Sequence, residues 1–194
     1  MLLDPFKRRI NYLRISVTDR CNLRCRYCMP EEGIPLIPHE AILTYEEILR
    51  IVRVFAGEGI SKVRLTGGEP LVRKGIVDFI SHLSQIKEIR DLSLTTNGIF
   101  LKEFAQTLKE AGLKRINISL DSLRKDRFFQ ITRRDSFEQV WAGIEEALRV
   151  GLSPIKINMV AIKGLNDDEI ESFARLTLHL PLTIRYIEYM PSGN

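Results

Sequence analysis

Strand-like runs cover residues 13–17, 62–66, 91–96, 115–120, 154–162 and 182–189, and polar and apolar positions alternate along most of the first five, the period-two pattern of strands with one buried face. Between these runs the apolar positions recur every three or four residues, as along one side of a helix. Thr44, with Glu47 three residues on, reads as a capping box, and the helix it opens runs out at Gly57-Glu58-Gly59. A second helix starts near Leu101 and stops at Ala111-Gly112, and a third covers about 137–150 and stops at Gly151. Asn166, followed by Glu169, opens the last.

Strand, helix, strand, repeated, gives parallel neighbours through right-handed crossovers. Six such strands suit a doubly wound sheet or a partly closed barrel, and the polar positions choose between them. Arg14 and Ser16 alternate with apolar residues, as do Lys62, Arg64 and Thr66; Ser93, Thr95 and Asn97; Asn117, Ser119 and Asp121; Lys156 and Asn158. Parallel strands covered on both faces would be apolar throughout, and a filled barrel would carry branched aliphatics inside. The expectation is an α/β fold, a partial (β/α)6 TIM-like barrel with outer helices and an open, wet interior, as one domain over 1–194.

Composition agrees with a globular chain: 194 residues, 44% hydrophobic and 28% charged, enough for a substantial core. A net charge of +4 is too small for a polyanion-binding tail. Lys7-Arg8-Arg9 lacks interleaved aromatics, so no nucleic-acid partner is expected. No run of about 18 apolar residues would cross a membrane, and the first nine residues have the wrong order for a secretory signal. The cytoplasm is the expected compartment, or the mitochondrial matrix in a eukaryote. His39, His82 and His179 are isolated and read as surface or capping residues. Trp141 falls on a core stripe with Phe137 and Ile144. Arg133-Arg134 leads into Asp135-Ser136, a helix start.

The three cysteines change the picture. They lie in Cys21-Asn22-Leu23-Arg24-Cys25-Arg26-Tyr27-Cys28, an odd number in eight positions and so no disulfide framework. Three thiolates in one loop can hold one inorganic centre. Structural zinc takes four protein ligands, whereas a four-iron cluster on three cysteines leaves one iron open. Zinc and buried free thiols are the alternatives. After the next strand, Thr66-Gly67-Gly68-Glu69-Pro70 sets paired glycines, which admit a ligand to the backbone, beside a carboxylate able to pair with an amine.

The two motifs in this order resemble the radical SAM superfamily. The resemblance implies a [4Fe–4S] cluster on Cys21, Cys25 and Cys28 whose open iron binds S-adenosylmethionine (SAM). One electron, from a flavodoxin- or ferredoxin-like donor, then releases a 5′-deoxyadenosyl radical. Tyr27 would contact SAM, and Gly67, Gly68 and Glu69 would grip its amino group. Residues 13–20, Met29-Pro30, 63–71, 94–98, 115–121, 156–158 and 185–190 further resemble the GTP 3′,8-cyclase family of lyases in molybdenum cofactor biosynthesis. This implies that Ser119 and Met190 also surround SAM. It also implies that Arg14, Arg64, Thr95 and Lys156 contact GTP, with Lys62 and Arg185 as further candidates. Hydrogen would be taken from the ribose, and the cyclised product passed to a pterin synthase. The family's C-terminal part carries a second three-cysteine cluster, whereas this sequence has no cysteine after Cys28 and finishes at Pro191-Ser192-Gly193-Asn194. The GTP site is therefore expected to be incomplete. Another substrate, such as a peptide, and a non-catalytic scaffold are the competing readings.

The residues themselves support an anionic ligand. Arg14, Lys62, Arg64 and Lys156 fall on the polar face of their strands, while Arg185 sits in a run of ambiguous register. Buried cations need anionic partners, and a triphosphate is one. Glu69, Asp121 and Glu188 could each neutralise one cation, but they are too few for the set.

Overall fold

Six strands pair in chain order, each parallel to the next, in a single open sheet. They are β1 (Tyr12–Ser16), β2 (Lys62–Thr66), β3 (Asp91–Thr96), β4 (Arg115–Ser119), β5 (Ile155–Ala161) and β6 (Leu182–Glu188). The helices between them are α1 (Tyr45–Gly57), α2 (Ile76–Ser84), α3 (Leu101–Glu110), α4 (Lys125–Thr132), α5 (Phe137–Arg149) and α6 (Ile170–Leu176). This computed structural model describes residues 2–190; the expected domain span reaches past them at both ends, and Pro191-Ser192-Gly193-Asn194 lies outside them. Sequential order means that every crossover steps the same way, which is the partial barrel expected from the pattern.

Alternation sorts the strand residues as anticipated. Val63, Leu65, Leu94, Ile116, Ile118, Ile155, Ile157 and Met159 are almost wholly buried. They pack in one core with Val52 of α1, Phe79 and Ile80 of α2, Leu101 and Leu108 of α3, and Val140 and Ile144 of α5. Each such side chain contributes about 1.5–3 kcal/mol on burial. The opposite face carries polar rows across the sheet. Arg14 lies beside Arg64 and Arg64 beside Ser93. Thr95, Asn117 and Lys156 form another row, and Ser119, Asn158 and Arg185 a third. The ambiguous register is thereby settled: Arg185 shares the polar face. Arg115, opposite Ser93, joins it too.

Local signals held where they were strongest. At the start of α1, Thr44 Oγ1 accepts from the Glu47 amide (3.2 Å) and Glu47 Oε2 from the Thr44 amide (2.7 Å). Two helices carried no readable signal, since neither Gly75 before α2 nor Arg124 before α4 supplies a side-chain cap. Asn166 does not cap the last helix either. Its amide donates to the carbonyls of Asp121 (2.7 Å) and Val160 (2.9 Å), its oxygen accepts from the Ile162 amide, and α6 begins after a separate turn over Asp167–Glu169. Trp141 is only half-buried; it stacks near Phe137 and donates to Glu145 at 2.9 Å. The three histidines are exposed.

Two glycines make opposite predictions. A Cβ on Gly143 of α5 would lie 2.6 Å from the Gly98 carbonyl and 2.9 Å from Leu101 Cβ, whereas one on Gly57, at the end of α1, meets nothing within 4 Å. Gly143→Ala is expected to lower stability by about 1–3 kcal/mol through overpacking, and Gly57→Ala to raise it by roughly 0.5–1 kcal/mol. Urea unfolding of the two variants checks both signs.

Candidate active site at the cysteine loop

The segment from Val17 to Cys21 crosses the C-terminal edge of the sheet and is gripped by the turn after β2. The Gly68 amide donates to the Thr18 carbonyl and the Glu69 amide to the Arg20 carbonyl, both at 2.7 Å. A Cβ on Gly67 would lie 2.5 Å from the Thr18 carbonyl, and one on Gly68 would collide with that of Arg20. The paired glycines thus let one backbone lie directly on another, ahead of any ligand. Glu69 is 1% exposed. Its carboxylate accepts from the Leu71 amide (3.0 Å), the Thr96 hydroxyl (2.7 Å) and the Asn97 amide (2.6 Å). Asn97 in turn donates to Asn22 Oδ1 at 2.6 Å and faces Cys21 Sγ at 4.0 Å.

The far side of the loop rests on the end of α4, whose Thr132 and Ile131 carbonyls accept from the Arg24 (3.0 Å) and Arg26 (2.9 Å) amides. Arg133, in a left-handed conformation at φ 57°, donates to the carbonyls of Arg24 (2.9 Å) and Met29 (3.1 Å). Cys25 and Cys28 are joined by a tight turn, Cys28 amide to Cys25 carbonyl at 2.9 Å. The Tyr27 hydroxyl crosses to Asp121 Oδ2 at 2.6 Å.

These elements enclose a cavity of about 300 Å³. Among the expected site residues, Cys21, Cys25, Cys28, Tyr27, Gly67, Gly68, Ser119, Arg14 and Thr95 line it, together with Asn97, Asp121, Phe128 and Val160. Glu69 lies behind the wall rather than on it. Lys62 is exposed at the start of β2, Lys156 is half-buried and Arg185 exposed in their rows, and Met190 is 77% exposed beyond β6. Arg64 sits over the Tyr12 ring at 5.4 Å, its Nε 3.4 Å from Ser93 Oγ. Phe128 and Thr132 come from α4, one of the two helices without a start signal. Asp121 occupied a polar strand-end position, but nothing local marked a partner 94 residues away.

The electrostatics separate into two regions. Around the cysteines, burial pushes all three thiols up; the Glu69 carboxylate adds to this at Cys21, and Asp121 at Cys25 and Cys28. Burial also raises Glu69 and Asp121 against the pull of their hydrogen bonds. Across the polar rows, desolvation lowers Arg64, with Arg115, Arg185 and Arg14 adding repulsion. Of these cations only Arg115 has an acidic partner among the described residues, a bidentate pair with Asp91 at 2.6 and 2.5 Å. Glu69 and Asp121 neutralise none of them.

Three soft sulfurs on one cavity wall suit iron–sulfur or zinc chemistry, and binding requires the thiols to lose their protons. Among the described residues no three His, Cys, Asp or Glu side chains converge as they would on a single ion. The sulfurs share the cavity with a glycine-built backbone edge and with Ser119, which fits a cluster with an open position facing a small polar ligand. The buried Glu69 carries a testable load. Glu69→Ala strands two amides and a hydroxyl, and a loss of about 3 kcal/mol in unfolding free energy is expected. Glu69→Gln, which keeps one acceptor, is expected to lose less on the same urea curves.

Residues 15–177 match the family model described as the Radical SAM superfamily. The GTP 3′,8-cyclase of Moorella thermoacetica is 60% identical over 98% of this chain and 59% of its own length. That of Alkaliphilus metalliredigens is 58% identical with the same coverage. The chain thus spans about three fifths of these curated relatives. Among solved structures, SuiB of Streptococcus suis bound to S-adenosylmethionine superposes with a TM-score of 0.75 at 20% identity, over 95% of this chain and 40% of that one, a likeness of fold. No helix among the described residues is long and apolar enough to cross a membrane. The cysteine loop, the glycine turn and the open parallel sheet are one inheritance: the chain belongs to the radical SAM superfamily, whose chemistry runs on a [4Fe–4S] cluster and S-adenosylmethionine.

Proposed function

We propose that this chain is the radical SAM core of a GTP 3′,8-cyclase, which takes hydrogen from the ribose of GTP to start pterin formation. The observation that carries the reading is the row of cations on the barrel's inner face, with Arg14 beside Arg64 in register and Arg185 and Lys156 on neighbouring rows. Among the described residues none of these four has an acidic partner, while neighbouring Arg115 pairs with Asp91, and the charge on Arg64 is disfavoured as it stands. A triphosphate relieves that repulsion, and arginine forks suit it. The identity to named cyclases supports the choice of GTP over other anions.

In this reading Cys21, Cys25 and Cys28 hold the cluster, while Tyr27, Gly67, Gly68, Ser119 and Met190 surround SAM. Glu69 serves that site by fixing the glycine turn and Asn97 from behind. When bound, the cluster and SAM supply the radical that removes hydrogen. The chain's own residues do the rest. Arg14, Arg64, Lys156 and Arg185, with Lys62 at the far, N-terminal end of β2, anchor phosphates, and Thr95 and Ser119 orient hydroxyls. A flavodoxin- or ferredoxin-like protein delivers the electron, a pterin synthase takes the product, and a reducing cytoplasm keeps the thiols free.

Calorimetric binding of GTP and guanosine to the chain tests this directly. GTP is expected to bind at least tenfold more tightly than guanosine, with affinity falling as salt rises. Arg64→Ala is expected to weaken GTP by roughly tenfold or more and to leave guanosine unchanged. Equal affinity for GTP and guanosine, or an indifferent Arg64→Ala variant, contradicts the reading.

A further inference from the structure

We propose that Asp121 is a positioning residue for the cysteine loop: its carboxylate holds the Tyr27 hydroxyl, and through it the Cys25–Cys28 turn, in the orientation that SAM binding requires. The inference rests on the reading that the three cysteines carry the cluster, and it is independent of GTP.

Asp121 is itself locked. It lies two residues past the end of β4 and is 4% exposed. One carboxylate oxygen accepts from the Val160 amide at 2.8 Å and the other from the Tyr27 hydroxyl at 2.6 Å. Its carbonyl accepts from the Asn166 amide group, which also ties Val160. A carboxylate buried without a cation is costly to keep, and this one makes no ion pair among the described residues. What it obtains is a short, charge-assisted bond to the aromatic residue between two cysteines. Tyr27 stands between Cys25 and Cys28 in the chain, so the strand ends reach this turn of the loop through one intermediary.

The remaining ties of the loop do not replace this bond. Asn22–Asn97 holds it before the second cysteine. The α4 carbonyls and Arg133 hold its main chain from outside the cavity. Among the described residues, only Tyr27–Asp121 fixes a side chain on the cavity side between Cys25 and Cys28. Without it the Tyr27 ring is free to swing into the space it lines.

The test uses the anaerobically reconstituted chain and its Tyr27→Phe, Asp121→Asn and double variants. Iron per chain reports cluster loading, the thermal midpoint of the apo form reports folding, and a SAM titration of the reduced cluster's paramagnetic resonance reports half-saturation. Expected are unchanged iron, half-saturating SAM raised roughly tenfold in each single variant, and a double variant no worse than the worse single. Unchanged half-saturation in both singles overturns the proposal, as do effects that multiply in the double variant. Iron loss from a folded Tyr27→Phe also overturns it, since the bond would then retain the cluster rather than position it. A wild-type cluster indifferent to SAM removes the cluster reading and this proposal together. A responsive wild type with equally responsive variants removes this proposal alone.

Discussion

Helices cover only one face of this parallel sheet, and most of the structure follows from that asymmetry. The covered face takes the aliphatic residues of every central strand to near-zero exposure. The other face cannot be apolar without exposing oil to water, so it is built from arginine, lysine, asparagine, serine and threonine in aligned rows. Parallel pairing in chain order then puts all strand C-termini, and the loops after them, on one rim. The cysteine loop follows the first strand and the glycine turn the second, so the two motifs are neighbours because β1 and β2 are.

Two buried carboxylates finish the rim. Glu69 and Asp121 are both almost fully buried, and both spend their hydrogen bonds on positioning rather than on neutralising cations. Glu69 acts through Asn97 toward Cys21 and Asn22; Asp121 acts through Tyr27, the residue before Cys28. The cations stay lower on the inner face with few internal partners. Of the inner-face cations Arg14 lines the cavity, while Arg64, Lys156 and Arg185 stand along the rows outside its lining.

The fold was legible because its signals are periodic. The six strand-like runs place the strand ends to within one residue, and the polar face distinguished a barrel from a doubly wound sheet. What stayed hidden was whatever depends on distant partners or on absent caps. Nothing near Gly75 or Arg124 announces α2 or α4. Asn166 has the look of an N-cap but spends its side chain on Asp121, Val160 and Ile162. Gly67 and Gly68 suggested room for a ligand, and their first neighbour is the chain's own Thr18–Arg20. The position of Arg185 needed the pairing with β5 to resolve it.

The central claim is that the rim is a cluster site with one position open toward the cavity. Diffraction from crystals of the anaerobically reconstituted chain, recorded on both sides of the iron absorption edge, addresses it most directly. The account predicts a four-iron anomalous peak held by Cys21, Cys25 and Cys28, with its unliganded iron facing Gly67, Gly68 and Ser119. A single zinc on these cysteines, or iron bound away from them, would contradict it.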